Sequence, residues 1–301
     1  MIYRFLTLFL LVVCFSQLVS AQADQEGFQH VLLASSAAYS GSGESNSGLL
    51  TGSETVFLHG WMSANAKKNE DVQFSHTGLF DGITQTTLTS RLLLWEHPVQ
   101  LGWQYVTAGD IEYREKPGPA ASTFQVYWLT VAAGSQIRLN GHDLAFTLKY
   151  SFQNLFFDRY DAWLTDWTWS HQAARDVGLM LVSLQNIGVV SSGPSVKGQA
   201  PVRLRTAWQF YDWDLSEQIR LQIVSELNYG FITRLITPTV GIESTLYSQV
   251  RFRMGVRPTH TTNPFSSGLS VYHKSFRVDY AFNYQESGFT STHGITVGYQ
   301  F

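Results

Sequence analysis

At 301 residues the chain is long enough for two ordinary domains or for one barrel, because all-β barrels routinely exceed the usual domain size. Charged residues make up only 14% of it, against roughly 25% in ordinary soluble domains, and aromatic residues match them at 14%, so apolar surface serves something besides a core. A net charge of −3 leaves no global basic patch for nucleic acid, and no stretch after residue 25 has the roughly 20 consecutive apolar residues of a spanning helix, which excludes a helical membrane protein.

The N-terminus reads as a secretory signal peptide over 1–23. Arg4 supplies the positive region, Phe5 to Phe15 the apolar stretch and Ala21-Gln22-Ala23 the cleavage site, so the mature protein is expected to begin at Asp24. The single cysteine, Cys14, falls inside that signal, and Val13 before it is too large for a lipoprotein cleavage site. The mature chain is then cysteine-free, with neither disulfides nor metal thiolates. Residues 24–64 differ in character from the remainder of the chain. The run Ser35-Ser36-Ala37-Ala38-Tyr39-Ser40-Gly41-Ser42-Gly43 is small and polar, too weakly apolar to face lipid, and is expected to sit within or under a barrel as a plug-like segment.

Residues 65–301 form the expected barrel, in which from about residue 70 onward the dominant signal is period-2 alternation in segments of transmembrane-strand length, separated by Gly, Pro, Asn, Asp and Ser. The spacing predicts strands near 71–77, 86–95, 98–107, 122–132, 143–152, 162–170, 176–186, 202–211, 218–229, 238–247, 249–257, 267–274, 276–285 and 291–301. In the clearest of them Val278, Tyr280, Phe282 and Tyr284 share one face, and Arg277, Asp279, Ala281 and Asn283 share the other. The longest polar connection, residues 191–200, reads as a loop. A soluble sandwich also produces such dyads. A closed barrel accounts better for a pattern in nearly every segment with no amphipathic helix, because it pairs every backbone group in lipid without leaving an edge. The fold class is therefore all-β: a transmembrane antiparallel β-barrel of about 14 strands with a short N-terminal plug-like segment. Trp61, Trp95, Trp103, Trp163, Trp167, Trp169, Tyr229, Tyr247 and Tyr299, near strand ends, suit interfacial girdles.

The closing strand, Gly294-Ile295-Thr296-Val297-Gly298-Tyr299-Gln300-Phe301, turns Ile295, Val297, Tyr299 and Phe301 to lipid. Tyr299 and Phe301 are the expected signal for the barrel-assembly machinery. Lumen-phase arginines are Arg203, Arg205, Arg220, Arg251, Arg253, Arg257 and Arg277, which should point inward because a charge on the lipid face costs about 2–4 kcal/mol near the midplane. Two readings stay open for these lumen-lining candidates. They favour anionic solutes or a partner's acidic tail, or they pair with Glu226, Asp279 and plug carboxylates to fill a small barrel.

Other chemistry has little support. Histidines at 30, 59, 76, 97, 142, 171, 260, 273 and 293 show no H-x-H or H-E-x-x-H spacing, so no metal site is expected. No G-x-S-x-G elbow supports a hydrolase. Asp158-Arg159-Tyr160-Asp161 and Asp166 read as acids of a solvated rim, and Gly41, Gly43 and Gly48 form no phosphate cradle.

The order of motifs GFQHVLLASSAAYSGSG and GSETVFLHG within 27–60, FSHTGLFDGI at 74–83, LGWQYVTAGDIEYRE at 101–115, LAFTLKYSFQNL at 144–155, VGLMLVSLQNIG at 177–188, APVRLRTAWQF at 200–210 and FRVDYAFNYQESGFTSTHGITVGYQF at 276–301 resembles the PorV/PorQ family, barrels similar to the fatty-acid transporter FadL. The chain departs from the family pattern at Tyr39-Ser40-Gly41-Ser42, where the family has a glycine pair, and at Leu58-His59-Gly60-Trp61, where it has Asn-Pro-Ala-Gly. The resemblance implies a FadL-like barrel in the bacterial outer membrane, non-enzymatic and without a cofactor, acting as an accessory component of type IX secretion. A channel for small hydrophobic or anionic solutes is the alternative. Its implied partners are outer-membrane lipid, the assembly machinery, and secretion-system proteins or secreted cargo, with no nucleic acid.

Overall fold

The computed structural model describes residues 27–50, 52–60, 70–80, 82–95, 97–114, 122–155, 158–172, 178–191, 199–258, 265–284 and 290–301. The signal peptide with Cys14, the expected first residue Asp24, Trp61, His260 and most of the 191–200 loop lie outside them. Among the described residues fourteen strands form one closed antiparallel barrel: β1 Asp71–Gly78, β2 Ile83–Leu94, β3 His97–Tyr113, β4 Ser122–Leu139, β5 His142–Leu155, β6 Asp158–Gln172, β7 Leu179–Val190, β8 Arg203–Ser216, β9 Ile219–Gly230, β10 Ile236–Leu246, β11 Val250–Val256, β12 Phe265–His273, β13 Phe276–Tyr284 and β14 Thr292–Gln300. Each strand pairs with its sequence neighbours, and β14 closes on β1 in a register running from Asp71 opposite Gln300 to Gly78 opposite His293. No strand edge is left along the seam, as lipid requires.

Tight turns join the strands at one end. Asn140-Gly141, both at positive φ, makes the two-residue turn between β4 and β5, and Tyr247 and Ser248, at φ 50° and 57°, serve β10–β11. The connections at the other end are mostly longer, and both β1 and β14 have their outer termini at the short-turn end. Side chains alternate as the dyads require. Phe74, Leu88, Phe146, Trp167, Met254 and Val297 stand exposed on the outside, while Thr87, Gln104, Thr130, Ser151, Thr168 and Thr296, half a period away, are buried in the lumen.

Several strands outrun the sequence reading. β3, β4 and β6 begin or end several residues beyond 98–107, 122–132 and 162–170: hydrogen bonding runs on where the apolar contrast is weak, as across the small residues Ala132-Ala133-Gly134-Ser135 of β4, beyond which Ile137 and Leu139 again face out. Asp158 to Asp161 accordingly lie in β6 and not in a turn. β7 carries a bulge in which Gln185 and Asn186 together oppose Asp166, and Asn186 adopts φ 58°. Beyond the bulge the phase inverts. Val189 faces out and Val190 packs inward with Phe28, Val31, Tyr160, Ala162, Leu164 and Ala200.

Residues 27–60 thread the lumen. Short 3-10 turns at Gln29–Leu32, Ser47–Leu49 and Ser53–Phe57 and one α-helical turn, Ala37–Ser40, replace longer elements. Wall side chains bond this segment all around the barrel: Thr296 accepts from the Ala37 amide at 2.8 Å, Gln85 donates to the Ala34 carbonyl at 2.9 Å, Gln100 to Thr55 at 2.6 Å, Thr168 to the His59 carbonyl at 2.6 Å, and Thr239 to the Glu44 carbonyl at 3.1 Å. The segment enters at the long-loop end, where the Gly27 amide donates to the Gln199 carbonyl at 3.1 Å.

The small-residue run is seated on a strip of wall without side chains. A Cβ on Gly255 would overlap the Ser42 carbonyl, one on Gly241 would overlap the Ser45 hydroxyl, and one on Gly268 would stand 3.1 Å from the Gly41 Cα. Backbone of the segment meets backbone of β10, β11 and β12 there, which any larger residue prevents. Gly255→Val should therefore dislodge the 41–45 turn while leaving the barrel hydrogen bonds intact. The check is limited proteolysis of the folded barrel: faster cleavage between residues 27 and 60 is expected, and an unchanged cleavage rate would refute the close packing.

Candidate functional site

The lumen is the site the sequence points to, and its chemistry is that of paired charge. On β5 and β6, Lys149 and Asp166 form an ion pair at 2.5 Å with side chains 1% and 0% exposed. The other Asp166 oxygen accepts the Asn186 amide at 2.8 Å, and Lys149 donates to the Asn186 side chain at 3.2 Å, so one pair holds both the charge and the bulge. Asp166 is thus no rim acid. The sequence reading misses this because the alternation that buries it belongs to a strand whose neighbours are invisible in the chain order.

A second group surrounds Glu226. Its carboxylate accepts the Ser47 amide at 2.6 Å and the Tyr39 hydroxyl at 3.3 Å, and lies 3.8 Å from Arg205, which donates to Asn228 at 3.0 Å and stands over the Tyr39 ring. A third group runs across β10 to β2. Arg253 bonds Glu243 at 2.6 Å and reaches Asp279 through the Ser270 hydroxyl. Arg277 forms an ion pair with Asp279 at 2.8 Å and donates to Gln73 at 2.7 Å and to Glu54 of the inner segment at 3.2 Å, and Asp71 pairs with Arg91 at 2.5 Å while accepting the Ser53 amide at 3.0 Å. The Gln73 amide closes onto Glu54 as well. Nearer the long-loop end, Arg257 pairs with Glu44 of the segment at 2.6 Å. Arg251 pairs with Glu243 at 3.4 Å and stands over the Tyr272 ring at 4.7 Å.

Buried charges are tolerated only when paired and bonded in this way. Of the lumen-lining candidates, Arg205, Glu226, Arg251, Arg253, Arg257, Arg277 and Asp279 are brought together with partners, and Arg203 lies half-buried at the long-loop end of β8. Arg220 is the correction. It has the inward phase but sits on the β8–β9 hairpin beyond the filled lumen, 54% exposed and bonded to Asp214 at 3.1 Å. An exposed pair of this kind contributes little. The lumen-lining candidates leave out Asp71, Arg91 and Glu243, and also Lys149, whose strand alternation already puts it on the polar face, although the rule that a charge avoids lipid sends each to the inner face of its strand.

Two histidines of the segment are sealed in. His30 Nε2 is 2.7 Å from the Ser151 hydroxyl and 3.2 Å from Thr130, and His59 Nε2 is 3.1 Å from the Ser47 carbonyl. Burial pushes each imidazole down to about 3, so both are neutral at physiological pH. Burial raises the Tyr39 phenol well above its usual range. The Ser151–His30 contact has the outline of a nucleophile and base, yet Ser151 is wholly buried and an imidazole held near 3 is too weak a base at neutral pH. It ties the segment to the wall.

At the closing strand, Tyr299 packs on Phe276 at 4.9 Å and on Phe301 at 5.0 Å, and the Phe301 amide donates to the Glu70 carbonyl at 3.0 Å while the residue as a whole is 69% exposed.

A closed wall with an apolar outside and a charged, bonded inside defines a transmembrane antiparallel β-barrel. Among solved structures the chain is similar to the KdgM porin (9% identity over 77% of this chain and 99% of that one, TM-score 0.38), to a mutant of the TodX monoaromatic hydrocarbon channel (10% identity, 77% and 88%, TM-score 0.43) and to the outer membrane phospholipase A from Escherichia coli (11% identity, 80% and 98%, TM-score 0.35). These are likenesses of barrel form. No family model matches the chain, and no curated protein matches it.

Proposed function

We propose that the protein is a non-enzymatic outer-membrane barrel that acts through protein partners, as the accessory PorV/PorQ barrels of type IX secretion do, and that residues 27–60 are a resident plug. Short turns at the end holding the barrel termini and longer loops at the other suit the usual orientation, with the long loops at the cell surface. The observation that carries the reading is the neutralised lumen. Arg257 and Arg277 are bonded to Glu44 and Glu54 of the segment, so the positive charge that would select anionic solutes is already used. What remains for function is the outer surface and the long loops.

A channel for small hydrophobic compounds is the second reading, favoured by one feature. Pairing of β7 with β8 stops at Gln185–Arg203 while β7 continues to Val190, and the wall there is backed by the apolar cluster around Phe28, Val31 and Leu164. Deletion of the gene separates the two. Altered secreted and surface proteomes with normal uptake of hydrophobic substrates are expected. Unchanged secretion would remove the accessory role, and unchanged uptake would remove the channel.

A further inference from the structure

The outer wall carries a group of side chains for which the lumen has no use. His142 opens β5, His171 lies directly opposite it on β6, and Met180 of β7 lies directly opposite His171 on its other side. Their neighbours Asp143, Ser170 and Leu181 are the buried, inward residues, so all three point outward in one row at the short-turn rim. Directly opposed residues on adjacent strands hold their Cβ atoms only about 4.5–5.5 Å apart.

The two imidazole centres are 4.8 Å apart, with the rings tilted by 33°, and Trp169 stacks against both at 5.6 Å and 5.9 Å. Ring packing in an aromatic girdle explains the tryptophan. It does not explain why Nδ1 of each histidine is shielded from water with no hydrogen-bond partner among the described residues. An unsatisfied polar nitrogen at the edge of a bilayer is costly, and ionisable side chains in that position tend to have a partner.

We propose that His142, His171 and Met180 form a binding site for a copper ion on the outer face of the barrel. A metal ion bonded to two imidazole nitrogens at about 2.0–2.1 Å stands roughly 3.2 Å from each ring centre, so the 4.8 Å separation found corresponds to a nitrogen–metal–nitrogen angle of roughly 95–100°, within reach of a tetrahedral site after a few tenths of an ångström of ring movement. The thioether beside them is a soft ligand that selects Cu(I), whereas zinc prefers nitrogen, oxygen or thiolate. The neighbouring Trp169 ring, packed against both imidazoles, shields the site on one side.

The test uses the full barrel in detergent micelles, with equilibrium dialysis against Cu(I) under reducing, anaerobic conditions and, separately, against Zn(II). These residues project from the outer face, so folding of the variants is followed by the heat-dependent shift in electrophoretic mobility. One equivalent of Cu(I) is expected. The double variant His142→Leu/His171→Leu should lose it by more than the roughly 10–100-fold that disturbing an outer-shell partner costs. Met180→Leu should weaken Cu(I) while leaving Zn(II) unchanged. Copper uptake by the full barrel no greater than that of the folded double variant would overturn the site, and a Met180→Leu barrel with unchanged Cu(I) affinity would overturn the thioether's part in it.

Discussion

Removing residues 27–60 will convert a barrel that blocks ions into one that conducts them. The segment is bonded to the wall on nearly every side, and Glu54, 1% exposed, is its best-held point: one oxygen takes Arg277 and the other Gln73. Glu54→Lys puts a second cation against Arg277 and leaves that guanidinium with Asp279 as its single carboxylate partner among the described residues. Breaking a buried pair from one side costs about 3–5 kcal/mol, a loss borne by the contact between segment and wall because the barrel's own ladder is untouched. Planar-bilayer recordings should show a closed barrel for the natural chain, a steady pore for the deletion and intermittent opening for Glu54→Lys. The pore should prefer anions, since deletion removes Glu44 and Glu54, takes from Arg257 its Glu44 partner and leaves Arg277 only the wall's Asp279 to offset it. A folded deletion variant that passes no current would show that the wall itself, and not the segment, closes the lumen.

The second large effect is at Lys149 and Asp166. Lys149→Met strands a carboxylate that is fully buried, and an equilibrium unfolding experiment in urea and lipid should register a loss of about 3–5 kcal/mol. The companion variants separate the two tasks of Asp166. Lys149→Met/Asp166→Asn keeps an acceptor for the Asn186 amide and should recover most of the loss. Lys149→Met/Asp166→Leu removes the charge but orphans that amide, and should remain about 1–3 kcal/mol short. Stability of Lys149→Met equal to that of the natural chain would mean that the pair has no structural weight.

Much of the barrel was legible because a strand between lipid and a polar lumen must alternate residue by residue. The phase of β13, with Val278 and Tyr280 out and Arg277 and Asp279 in, follows from four letters of sequence and the cost of a charge in lipid. The same rule failed where lipid stops acting. Arg220 keeps its inward phase at a height where there is no longer an inside to enter. The β7 bulge also escaped notice, since a single inserted residue leaves composition and turn signals unchanged while inverting every side chain after it.

By itself the sequence determined the class of wall, its strand number, the face that the clearest strands turn to lipid and the aromatic end of the last strand. All of these are local consequences of a two-residue period and of the energy of moving single side chains between water, lipid and a bonded interior. Only the tertiary structure decided the partners. Glu54 meets Arg277, Ser47 meets Glu226, and His142, His171 and Met180 come into one row, because closing the sheet brings residues far apart in the chain to the same height on neighbouring strands. No spacing in the chain encodes those heights. They are fixed by register, shear and the fit of a small-residue turn against Gly255 and Gly268, which exist only once the barrel is closed.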